Sequence, residues 1–197
     1  MRWTFLLVLL AALQAPDAPA RRLNLKGVSV VRADEVRQAI RDLPQPDARL
    51  GSQQLRVSWG SGDARTLQRR DRRAGIAAAP LSLLSRRHSP HPVQHPRRLD
   101  LAEEKLLVLS LDVRGQIVSW SVIPDPRIVR AEAPGPDGTL RGQTFERTSV
   151  EFLLDIPDDA RIRQASIYRP EWRDGEWDLR LVSAIDLPQT DSPQKKD

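Results

Sequence analysis

Three histidines stand within eight residues of one another, His88, His91 and His95, in the spacing H-x2-H-x3-H. On a helix that spacing would bring imidazoles to one face, where Zn²⁺ or Cu²⁺ binds ring nitrogens. Here Pro90, Pro92 and Pro96 forbid a regular helix. No acidic residue lies close by in sequence to orient the rings, and Arg86, Arg87, Arg97 and Arg98 would repel a cation. The expectation is a solvated stretch, with weak metal capture by the three histidines as the alternative chemistry.

Hydrolytic catalysis has little to work with. There is no cysteine, no H-E-x-x-H and no G-x-S-x-G. A Ser-His-Asp site would have to draw its histidine from the basic stretch, yet a catalytic base must be held in place by rigid surroundings. Glycosidases need only two carboxylates. Asp158 with Asp159, or Glu171 with Asp174, are the available pairs, and both fall in predicted turns, where acids are ordinary. Neither the G-x-x-x-x-G-K-[ST] phosphate loop nor G-x-G-x-x-G is present, and no cofactor is expected. A small secreted hydrolase using carboxylates is the rival to a non-catalytic protein.

Two groups of residues are better suited to binding. Tyr168, Trp172 and Trp177 flank a predicted hairpin turn, YRPEWRDGEW, with Glu171, Asp174 and Glu176 among them. Exposed indoles beside carboxylates suit sugars or peptides; the plainer reading is that one ring caps the core. Nine arginines in residues 63–98, from Arg65 to Arg98, stand against two acids, Asp63 and Asp71. The dibasic pairs Arg69-Arg70, Arg72-Arg73, Arg86-Arg87 and Arg97-Arg98 suit bidentate contact with phosphate or carboxylate. The anion could belong to an envelope lipid, a protein partner or the acidic half of this chain; nucleic acid is not the expected partner of an exported protein. The plainer reading is a solvated arginine-rich connection.

The elements that must position these groups are mostly strands. In KLLVLSLDVRGQIVSWSVI, Lys105 to Ile123, apolar residues alternate on either side of Arg114-Gly115, the sequence form of a β-hairpin. Further strands are expected at 127–132, 150–156, 162–168 and 179–187, with turn residues dense between them. Upstream, residues 23–31 and QQLRVSW, 53–59, read as strands. Between them Asp34 is placed to cap a helix, with Val36, Ile40 and Leu43 at helical spacing and Pro44 and Pro46 to stop it. Trp59 and Trp120 lie within predicted strands and are expected in the core.

The chain therefore divides, as an expectation, into a signal peptide (1–20), an N-terminal strand-helix-strand appendage (21–62), an irregular and disordered basic linker rich in Pro, Arg and His (63–98), a β-sandwich (99–188) and a disordered tail (189–197). The fold class is mainly β, an antiparallel immunoglobulin- or fibronectin-like β-sandwich. The signal peptide rests on Arg2, an apolar run from Trp3 to Leu13, and Ala18-Pro19-Ala20. It is too short to cross a bilayer, which needs roughly 20 apolar residues, and no transmembrane segment is expected after cleavage. Residues 21–100 hold 17 Lys/Arg against 7 Asp/Glu, whereas 101–197 hold 13 against 18. The chain is thus read as a periplasmic or secreted bacterial protein, a non-catalytic binding module whose partner is an unknown protein or an anionic envelope component.

Overall fold

The computed structural model describes residues 23–44, 50–60, 81–93, 98–134, 136 and 138–187. The signal segment 1–20, the tail and Arg69, Arg70, Arg72, Arg73, His95 and Arg97 lie outside the described residues. Within them the chain is mainly β, with antiparallel pairing throughout and one helix, consistent with a β-sandwich. In chain order the elements are β1 (Val30–Arg32), α1 (Ala33–Arg41), β2 (Ser52–Trp59), β3 (Leu81–Ser89), β4 (Lys105–Leu111) and β5 (Ile117–Pro124). They continue with β6 (Ile128–Pro134), β7 (Leu140–Glu146), β8 (Val150–Pro157), β9 (Gln164–Arg173) and β10 (Glu176–Asp186). Five strands form one sheet in the order β1-β10-β9-β4-β5, three form another in the order β3-β2-β8, and β6 and β7 form a separate two-stranded ribbon.

The five-stranded sheet is buried on both faces. Leu106 and Val108 of β4, with Ala165, Ile167 and Ile185, pack against Leu55, Val57, Trp59, Leu154 and Ile156 of the three-stranded sheet. The residues between them, Leu107, Leu109 and Leu111, face the other way, together with Tyr168 and Leu179, and are covered by Leu25, Val31, Ala33 and Val36. That is why Leu106-Leu107-Val108-Leu109 is an unbroken apolar run: in a strand successive side chains point to opposite faces, and here both faces are dry. The β4–β5 hairpin turns at Gly115, whose φ of 75° is costly for a side-chain-bearing residue. Asp112 Oδ1 accepts from the Arg114 and Gln116 amides at 2.8 and 2.9 Å to hold the turn. The Gly115 carbonyl in turn accepts from the Leu25 amide at 2.9 Å, which pins the N-terminal segment across the sheet.

Several expectations need correction. The strand-helix-strand segment is not set apart from the sandwich: β1 pairs with β10, α1 covers the second core layer, and β2 is the central strand of the three-stranded sheet. The strand expected over 23–31 is reduced to Val30–Arg32, and α1 begins after Arg32 with Asp34 inside its first turn. The basic linker is not irregular throughout, because Leu81–Ser89 forms β3 along the whole of β2. Its apolar Leu81 and Leu83 pack on the core. Leu84 is then the extra residue of a β-bulge, since Val57 pairs with Leu83 and Arg56 with Ser85. The bulge resets the alternation, so Arg86 and His88 stand opposite Leu55 and Gln53 on the core side, and Arg87 stands opposite Gln54 on the outer side.

Candidate functional site

An open cleft of about 690 Å³ lies on the sandwich. Two sheet edges reach it: β5 contributes Ser121, Val122 and Ile123, and β8 contributes Leu153 and Asp155. Gln54 of β2 and the segment 91–93 after β3 complete the wall. Gln54 Nε2 donates to Asp155 Oδ1 at 3.3 Å, and the His91 amide donates to Ser89 Oγ at 3.3 Å. Leu153 points away from the core and is 57% exposed, unlike its neighbour Leu154, which is buried. Among its described lining residues the cleft carries one carboxylate, one imidazole and no lysine or arginine, in a chain with 31 Lys and Arg. This wall can hold a ligand by apolar contact and hydrogen bonds, and it disfavours an anion.

The histidines do not converge. His88 turns to the core side of β3, where its Nδ1 lies 2.9 Å from Asp158 Oδ2, and Gln53 Nε2 donates to the other carboxylate oxygen. His91 sits instead in the cleft, and among the described residues no three metal-ligating side chains come together. A carboxylate thus does orient one imidazole, although no acid is near it in sequence. Asp159, next along the chain, is held below the usual carboxylate range by Arg161, whose guanidinium donates to it at 2.6, 3.0 and 3.1 Å; burial opposes this and loses. Asp158 and Asp159 therefore have different partners, His88 and Arg161, and Asp159 is ionised at neutral pH, unfit as a proton donor. Glu171 is taken by Arg173 at 2.5 Å and Arg180 at 3.1 Å. Asp174, with φ of 49°, shares a two-residue hairpin turn with Gly175.

The aromatic trio divides. Tyr168 is a core residue and not part of a binding surface, a correction whose cause is its place in β9 between Ile167 and the helix-covered layer. Its hydroxyl donates to the Val28 carbonyl at 3.3 Å, and burial pushes its pKa up to about 12. Trp177 is half-buried against the same layer, and Trp172 meets it edge-on with ring centres 5.2 Å apart and planes at 69°. Trp172 remains 54% exposed and keeps its candidacy. The arginine group divides as well. Arg86 and Arg87 point to opposite faces because they are consecutive in a strand, so the two cannot grip one anion from one side. Arg98 is exposed.

A charged cluster at the base of the β6–β7 ribbon was not foreseen from the sequence, because Glu146 and Arg169 lie far along the chain from Asp125 and Arg127. Asp125 is buried and takes Arg127 at 2.9 Å and Arg169 at 3.4 Å. Arg127 also reaches Glu146 at 2.8 Å and lies over the buried Trp59 ring, 4.1 Å from its centre. The cluster is structural: its charges are matched, and the Arg147 amide donates to the Arg127 carbonyl at 2.9 Å to close the ribbon's base. A second cleft of about 390 Å³ beside it is bounded by Glu104, Lys105 and Arg130, and the Arg130–Glu104 pair at 3.1 Å spans it. Beyond the base, Leu140 and Phe145 of β7 are exposed.

No helix among the described residues is long and apolar enough to cross a membrane. Compared with known proteins, the chain matches no family model, no curated protein and no solved structure.

Proposed function

We propose that this chain is an exported, non-catalytic binding module of the cell envelope, built on an antiparallel sandwich of the immunoglobulin- or fibronectin-like kind, with the helix an addition to that pattern. The observation that carries the reading is the 690 Å³ cleft, whose wall offers an exposed Leu153 and hydrogen-bonding groups of Gln54, Ser121 and Asp155. Clefts of ~300–1,000 Å³ with a few polar groups in an apolar wall are the usual form of a binding site. Export rests on residues 1–20, and N-terminal sequencing of protein from the native host is expected to begin at Arg21. Retention of Met1 would remove the envelope assignment. Contact with anionic head groups through the arginines is a further part of the proposal, supported by the exposed Arg87 and Arg98.

The His88–Asp158 pair favours one competing reading, a hydrolase in which the carboxylate orients an imidazole base. The full chain incubated with chromogenic esters, phosphate monoesters and glycosides is expected to release no product above buffer. Turnover that disappears in His88→Ala and Asp158→Asn would overturn the non-catalytic reading.

A further inference from the structure

Every sheet has edges, and unpaired edges invite another strand unless charge, proline, shortness or a bulge blocks them. Among the described residues, three of the four edges of the two larger sheets are blocked. β1 is three residues long and ends in Arg32; β3 carries Arg86 and Arg87 and a bulge; β8 carries Glu151 and Asp155. β5, IVSWSVIP, has no charge along its length and no proline before its last residue, and its residues have high β-propensity. Among the described residues β4 is its one partner. In an antiparallel strand, alternate residues direct both N–H and C=O to one side. At least one of Ser121, Val122 and Ile123 therefore turns these groups away from β4, toward the cleft that lies along them.

We propose that the cleft is a strand-addition site, in which an extended peptide segment of a partner protein pairs with β5 at Ser121–Ile123. The facing wall defines the peptide's chemistry. Leu153 offers an apolar contact, and Asp155 a carboxylate, two residues apart on one face of β8. The partner segment carries an apolar side chain and a lysine or arginine at the matching spacing of two. Backbone pairing supplies affinity, and the alternate side chains supply selection. The lack of lysine and arginine among the described lining residues argues against an acidic segment or an anionic lipid head group here. The inference rests on the binding-module reading and narrows it to one site and one ligand class.

The test starts from phage-displayed random peptides of about twelve residues, longer than the usual strand of about five to six, selected against the full chain. Enriched sequences are expected to share an apolar residue two positions from a lysine or arginine. A selected synthetic peptide is expected to lose about tenfold or more in affinity to Leu153→Arg and to Asp155→Lys, and nothing to Trp172→Ala. Both wall positions are exposed, and unchanged circular dichroism of the variants would show that the fold is intact. N-methylation along the peptide is expected to abolish binding at every second position. No enrichment, indifference to both wall variants, or loss without that period would overturn the proposal. Binding that maps to Trp172 would overturn it too, while leaving a binding module in place. A dimer of the chain alone, dissolved by Leu153→Arg, would put a second copy in place of the partner.

Discussion

Asp125 shows how a single residue is tied to its surroundings. Its carboxylate is out of water and holds two guanidiniums, which lie over Trp59 at 4.1 and 5.9 Å from the ring centre. Removing one member of a buried ion pair costs ~3–5 kcal/mol because the remaining charge is stranded. Arg127 keeps Glu146, and Arg169 keeps a third of its side chain exposed, so Asp125→Asn is expected to cost about 3 kcal/mol, the low end of that range. A denaturant titration checks this, and a shift no larger than that of an exposed control such as Asp174→Asn would refute the burial argument. Tyr168 makes a pH prediction. Burial pushes its folded pKa up to about 12 from the ordinary phenol value of 10.0, so the unfolded chain releases the proton first. Stability from the neutral phenol is intact below pH ~10 and is lost as pH rises from ~10 toward ~12. Tyr168→Phe should remove that alkaline drop, and thermal melts of both proteins across this window would show it.

At the scale of elements, β3 was the hardest to foresee. Its sequence, LSLLSRRHS, ends in charge and is followed by two prolines, features of a stretch that cannot fold alone. It is a strand because β2 needs a second neighbour and because the bulge at Leu84 lets Leu81 and Leu83 face the core before the arginines begin. Arg86 and Arg87 are consequently expected to resist trypsin under native conditions. Leu83→Pro, which removes an amide from the sheet, should open both sites. Mass spectrometry of limited digests decides the point, and early cleavage after Arg86 in the unmodified chain would contradict the β2–β3 pairing. The β4–β5 and β9–β10 hairpins were legible, because Arg114-Gly115 and Asp174-Gly175 are turn signals with a mechanism. β7 was not, since LRGQTFE is exposed along its whole length and lacks an alternating apolar face.

At the scale of the molecule, residues 99–188 do not contain a complete core. Their five-stranded sheet would lack β1, and the face bearing Leu107, Leu109, Leu111 and Leu179 would lose Leu25, Val31, Ala33 and Val36. The opposite face would lose Leu55, Val57 and Trp59 of β2. Burying one large apolar side chain contributes about 1.5–3 kcal/mol, and a domain's net stability is only about 5–15 kcal/mol. A fragment spanning 99–188 is therefore expected to be unfolded or aggregated, whereas the chain from residue 21 folds. Circular dichroism and gel filtration of the two would show the difference, and a monomeric, cooperatively melting 99–188 fragment would restore the boundary at residue 99.

What the sequence determined by itself was local. Alternating apolar residues and glycine turns identified most strands after residue 101, and the spacing of Val36, Ile40 and Leu43 identified the helix, because these signals reside in neighbouring residues. The uncharged run from Gln116 to Ile123 was also visible, in a chain that is 29% charged, although nothing local said that it would be an edge. Tertiary structure decided the rest. Which strands neighbour β2, the two-sided burial of β4, the inward position of Tyr168, the meeting of His88 with Asp158 and the cleft between the β5 and β8 edges all depend on residues far apart in the chain. Sheet order is set by which apolar faces can be covered at once. That is a property of the whole set of strands, and no stretch of sequence carries it alone.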